Sequence, residues 1–149
     1  MSLPTPFPAR DSTTVLSVIW STLNPGTQEF KMKMIISVTG GTDDPTRATL
    51  GMIAAKVAKD QGHDVTVWLQ GEAATIANVN VYEKIVGHNM PPMKGLVEAL
   101  VVAGVPLWVC EACGKGRNVG PDNFVATAKY MGMGDYVNAV VESDRSLSF

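Results

Sequence analysis

Cysteine and histidine are scarce in this chain: its 149 residues hold two of each. With only Cys110 and Cys113 there is no disulfide framework of the kind that staples small secreted domains. Basic residues are no more plentiful than acidic ones. Lys and Arg number 12 against 14 Asp and Glu, for a net charge of −2. That leaves no positive surplus to meet a phosphate backbone, which argues against a nucleic-acid partner. No apolar run approaches the roughly 18 residues needed to cross a bilayer. The N-terminus has no usable secretory pattern, because Arg10 precedes a Ser/Thr-broken stretch without a small-residue cleavage site. The expectation is a soluble, cytoplasmic protein with no membrane partner. In such a reducing compartment, two cysteines three apart read as reactive or metal-binding before they read as a staple.

Apolar residues are well represented, at 46% against 17% charged. This is a globular balance, and the length suits one domain with a sizeable core. From Met34 onward the chain punctuates itself. MIISVT (34–39) is a short β-branched run ending at Gly40-Gly41 and predicts a buried strand. Asp44 offers a helix cap, Pro45 suits the first helical position, and Leu50, Ile53, Ala54, Val57 and Ala58 form one stripe before Gly62. VTVWLQ (65–70) predicts a second strand and Glu72–Ala77 a short helix. Met93, Leu96, Val97, Leu100 and Val101 form another stripe, closed by Gly104. VPLWVC (105–110) predicts a third strand. Pro121 opens an expected helix with Phe124, Val125, Ala128 and Met131 inward, and YVNAVV (136–141) an expected fourth strand. SDRSLSF offers a short fifth strand at an edge.

Strand and helix alternating at this spacing imply βαβ crossovers, hence a doubly wound, parallel α/β sheet with helices on both faces. The boundaries expected are an extension at 1–33 and an α/β domain at 34–149. Within the extension, Val15, Leu16, Ile19, Trp20 and Leu23 would share a helical face, so it is either an amphipathic arm or a disordered tail.

In an open α/β sheet, chemistry collects at the carboxyl ends of the strands. Three segments should therefore converge: Gly40–Asp43, Gln70–Glu72 and Cys110–Cys113. Cys110 ends its strand just ahead of an expected helix or turn. Backbone amides there, with Lys115 and Arg117 nearby, predict a lowered thiol pKa and a nucleophilic thiolate. The competing reading is that both cysteines simply pack, as free cysteine often does. A four-ligand zinc site would have to recruit His63 and His88, and His63 lies in the QGHDV turn at the opposite end of the sheet. GGTDDPTRAT has neither dinucleotide nor P-loop spacing, and Asp43 and Asp44 would repel a phosphate, so it reads as a turn and a cap. His88 reads as a loop residue and Glu111 as a solvent-facing charge, since a carboxylate beside the thiol would oppose thiolate formation.

Taken in order, SVTGGTDDPTRA, VTVWLQGEA, GVPLWVCEACGKGRNVG and the terminal ESDRSLSF resemble the DsrE/DsrF-like family, which includes sulfur-relay subunits of the TusBCD type. The resemblance runs from about Met34 to Phe149. In that family the cysteine ending this strand carries sulfur in relay members, and Arg-Gly commonly follows seven and eight residues later. Cys110 and Arg117 match that cysteine and arginine, Asn118 stands where the glycine is usual, and Cys113 matches a second cysteine found in many members. The resemblance implies a flavodoxin-like domain assembled into homotrimers or homohexamers. It also implies a sulfurtransferase-like persulfide carrier that needs no metal or organic cofactor. Its partners would be donor and acceptor thiol proteins or small sulfane-sulfur species. The alternative is a non-enzymatic redox or assembly module with a reversible Cys110–Cys113 disulfide. A third reading is a small-ligand binder using the Gly40–Asp43 rim.

Overall fold

The computed structural model describes residues 30–149, so the arm considered for 1–33 falls almost wholly outside the described residues. Five strands form one parallel sheet in the order β4-β3-β2-β1-β5. They are β1 (Lys33–Val38), β2 (Asp64–Leu69), β3 (Leu107–Cys110), β4 (Ala128–Met131) and β5 (Arg145–Ser148). The helices are α1 (Pro45–Asp60), α2 (Met93–Val102), the five-residue α3 (Glu111–Lys115) and α4 (Met133–Glu142). A 3-10 segment, Gly71–Ala77, follows β2 where a short helix was expected.

Connectivity decides which face each helix covers. From β1 to β4 the chain steps along the sheet in one direction, so right-handed crossovers keep their helices on one face. From β4 it returns past β1 to the far edge, and α4 in that crossover lands on the opposite face. Side-chain alternation within the strands fits this division. Ile36, Val38, Val65, Val67, Leu69, Leu107 and Val109 join Met52, Ala55, Leu96 and Val97 in the main core. Ile35 and Trp68 face the other way, against Ala139, Tyr136 and Val140 of α4. Trp68 is fully buried and stacks on Tyr136 with ring centroids 4.7 Å apart.

Two expectations are corrected on the β4–α4 side. The segment 136–141, read as a strand, is helical within α4. Its three valines are β-branched, but the segment is used at helical spacing: Tyr136, Ala139 and Val140 turn inward while Val137 and Val141 are exposed. Asp135 caps this helix by accepting from the Gly132 amide at 2.9 Å. The segment after Pro121, read as a helix, is a turn leading into β4. Phe124 and Val125 still pack against the core, but from a loop tied down by Val79 N–H to the Asn123 carbonyl and Val125 N–H to the Ala77 carbonyl, each 2.9 Å. Ala128–Met131 then pairs with Leu107–Cys110. A smaller difference concerns α1. Leu50 and Val57 are exposed, and its buried face is made of Ala48, Gly51, Met52 and Ala55, because small residues allow the helix to sit close on the sheet.

β5 is the expected edge strand. It is held to β1 beyond the ladder: the Phe149 carbonyl accepts from the amide and the hydroxyl of Thr39, at 2.9 and 2.8 Å.

Candidate functional site

β3 is an inner strand, and its alternation sends Leu107 and Val109 into the main core, Trp108 and Cys110 to the α4 face. Cys110 is the last strand residue and the N-cap of α3. One turn on, Cys113 swings back to pack against the main core. The two thiols, both unbridged and half-buried, thus leave the strand end toward different faces. The turn needs a glycine at position 114. A Cβ there would lie 2.7 Å from Tyr130 Cε1 and 2.8 Å from the Val119 carbonyl oxygen. Asn118 adopts a left-handed φ of 53°, which asparagine tolerates, so its standing in for glycine leaves the turn intact.

Cys110 opens onto a groove of about 480 Å3 whose walls include Ala112, Met131, Gly132 and Met133. Its thiol is not acidified as the sequence suggested. Burial pushes the Cys110 thiol up, and the hydrogen bond with the Cys113 thiol pushes the same way. The amides of Ala112 and Cys113 do pull down, as expected of a strand end running into a helix, but they are outweighed. The basic residues invoked to help are engaged elsewhere. Lys115 is bound to Glu111 at 2.6 Å in solvent. Arg117 donates from Nε to Glu72 Oε2 at 2.7 Å and from Nη1 to the Cys113 carbonyl at 3.1 Å.

The three strand-end segments do converge. Glu72 receives the Thr42 hydroxyl on Oε1 and Arg117 on Oε2, which links the turns after β1, β2 and β3. Those hydrogen bonds hold the Glu72 carboxyl below the usual carboxylate range, and the Glu72 carboxylate raises Arg117 in turn. Gly41 is what permits the approach, since a Cβ there would sit 2.2 Å from the Glu72 carbonyl oxygen. The Gly40–Asp44 stretch is a turn and cap. Asp43 Oδ1 accepts from the amides of Gly41 and Asp44, and Asp44 Oδ1 from the Arg47 amide at 3.0 Å. The His88 amide donates to the Thr46 hydroxyl at 3.2 Å. His63 accepts from the Met32 amide at the amino end of the sheet. Among the described residues no group of three or more His, Cys, Asp or Glu is placed to hold a metal ion, and no helix is long and apolar enough to cross a membrane.

Sequence reasoning placed Cys110, Cys113 and Arg117 on one turn, and the structure brings them together. It did not single out Glu72, whose only signal was its position just after the second strand.

A parallel α/β sheet with paired thiols at the carboxyl end of an inner strand defines the class, a thiol-bearing flavodoxin-like domain. The model of the DsrE/DsrF-like family matches residues 32–149, and the chain belongs to that family, which is generally linked to sulfur relay. Its fold is similar to that of the ychN protein from E. coli, with a TM-score of 0.68 over 79% of this chain and 99% of that one. The two are 17% identical, so this likeness concerns the fold alone. No curated protein sequence matches this chain at a significant level.

Proposed function

We propose that the protein is a cysteine-persulfide sulfur carrier, with Cys110 taking sulfur and Cys113 serving as the neighbouring acceptor or resolving thiol. The observation that carries this reading is the placement of Cys110 at the strand end, open to a groove, with a second thiol, Cys113, one turn on in the helix it caps. In the first step the Cys110 thiolate attacks the outer sulfur of a donor R–S–SH. A new S–S bond forms, the donor's S–S bond breaks, and R–S⁻ leaves, giving Cys110–S–SH without net oxidation. If Cys113 then attacks the outer sulfur, the persulfide moves on. If it attacks the inner one, a Cys110–Cys113 disulfide forms and HS⁻ departs.

Because burial favours the protonated thiol, loading should be slow at neutral pH unless donor docking helps to remove the proton. Its donors would be small sulfane species or a protein-borne persulfide presented at the open side of the groove. We further propose a homotrimer or homohexamer, supported by the row Met133, Val137 and Val141 left exposed along α4.

Intact-mass measurement after exposure to polysulfide tests the carrier reading. A gain of about 32 Da, one sulfur, that disappears in Cys110→Ser is the expected result. A loss of about 2 Da with no sulfur adduct would replace this reading with reversible disulfide formation.

A further inference from the structure

Arg117 is a cation tied to the backbone of the thiol turn, and it is shared. Its Nη1 holds the Cys113 carbonyl at 3.1 Å, while its Nε is bound at 2.7 Å by Glu72 from another strand end. Neither partner is free to wander. Arg117 sits within a turn closed by the Val119 amide on the Gly114 carbonyl at 2.9 Å. The Glu72 backbone is wedged against Gly41, and its second oxygen is occupied by Thr42. The pair is partly shielded, with side-chain exposures of 34% for Arg117 and 26% for Glu72, so water screens it less than a fully exposed pair. The charged groups that face it are Asp43, the Cys113 thiol and, behind Asp43, Arg47. Glu72 therefore already claims the guanidinium, with the Asp43 charge adding a weaker pull, before any charge develops on sulfur.

We propose that Glu72 is a positioning residue that competes with the Cys113 sulfur for Arg117, and so sets how readily negative charge builds on the acceptor thiol. With Arg117 on Glu72, the turn is held in place but its positive charge is spent. When charge arrives on Cys113, the guanidinium can shift toward sulfur without letting go of the Cys113 carbonyl, since a planar fork has donors for both. Its meaning for sulfur transfer rests on the carrier reading above, but its test uses no sulfur donor.

The experiment is site-resolved iodoacetamide labelling of Cys113 at pH 7 in the Cys110→Ser background. Glu72→Gln keeps one amide oxygen for Arg117 and an NH2 that can donate to the Thr42 hydroxyl, while removing the competing charge, and should speed Cys113 labelling about fivefold, the scale of one partly shielded ion pair. Arg117→Gln leaves Glu72 and Asp43 unopposed and should slow it by a similar factor. A merely structural pair would behave differently: loosening the turn from either side would move both variants in the same direction. Opposite shifts of the stated sign support the proposal, and any other pattern overturns it. Should Glu72→Gln not fold, Arg117→Gln decides alone, with slower labelling for and unchanged or faster labelling against. Absence of a sulfur adduct in the mass measurement leaves this result untouched, so the two readings fail separately.

Discussion

On one face of the sheet α1, α2 and the 3-10 segment after β2 seal a core in which Ile36, Val38, Val67 and Leu69 have no solvent exposure. On the other, among the described residues α4 covers Ile35 and Trp68, and leaves Trp108 and Met131 half-exposed on β3 and β4. The two thiols divide between these environments: Cys113 packs with the filled face, Cys110 with the sparse one. Burial thus raises the Cys110 thiol even though its side of the sheet retains a groove. The lesson is that a thiol's chemistry follows from its face as well as from its place at a strand end.

The comparison is broken most strongly in the filled face. Ile36→Ala should cost about 3 kcal/mol of unfolding free energy, from lost transfer energy plus the cavity left behind. Urea denaturation measures it, and a cost below about 1 kcal/mol would mean that the face is looser than described. Next is Gly114→Ala, whose new methyl meets Tyr130 and the Val119 carbonyl. Such overpacking should cost about 1–3 kcal/mol, with an altered Tyr130 environment as a second readout.

The third prediction concerns pH at Cys110. With its thiol pushed up by burial, the native site favours the neutral form. Cys110 labelling by iodoacetamide should then be slower at pH 7 than that of a free thiol. Its rate should keep climbing after the free thiol, with a pKa of about 8.5, has levelled off. A Cys110 profile that levels off earlier than the free thiol would show that the amides of Ala112 and Cys113 win over burial. The smallest effect belongs to the sparse face. Val141→Ser, at a side chain with the residue 80% exposed, should change the stability of a single chain by no more than about 0.5 kcal/mol. In the proposed oligomer the same change, together with Val137→Ser, should shift light-scattering mass toward the 15.9 kDa of one chain. A wild-type protein already at that mass would remove the oligomer proposal.

The first three strands were legible because a parallel strand buried on both faces reads as a continuous apolar run, and Met34–Val38, Val65–Leu69 and Leu107–Val109 do so. β4 was not, because AKYM has four residues and takes its identity from hydrogen bonds to β3 rather than from its own pattern. YVNAVV misled through its valines: strand propensity is overridden once Tyr136 stacks on Trp68 and Ala139 faces Ile35. In the site, the cysteines and Arg117 were legible because a single turn of the chain delivers them. The direction of the Cys110 shift was not, since burial by side chains distant in sequence outweighs the local amides. Glu72 was hidden for the same reason, its partner lying 45 residues away.

The bond from Thr39 to Phe149 spans 110 residues, and this bears on the order in which the domain assembles. Strands β1 to β4 are joined by short successive crossovers, so they can pair as they emerge from synthesis. β5 cannot dock until everything between has been made. Closing so long a loop is among the slower events available to a small domain. Until it closes, β1 presents a bare hydrogen-bonding edge that the β5 of another chain fits equally well. Refolding at high protein concentration should therefore yield strand-exchanged dimers alongside the native form.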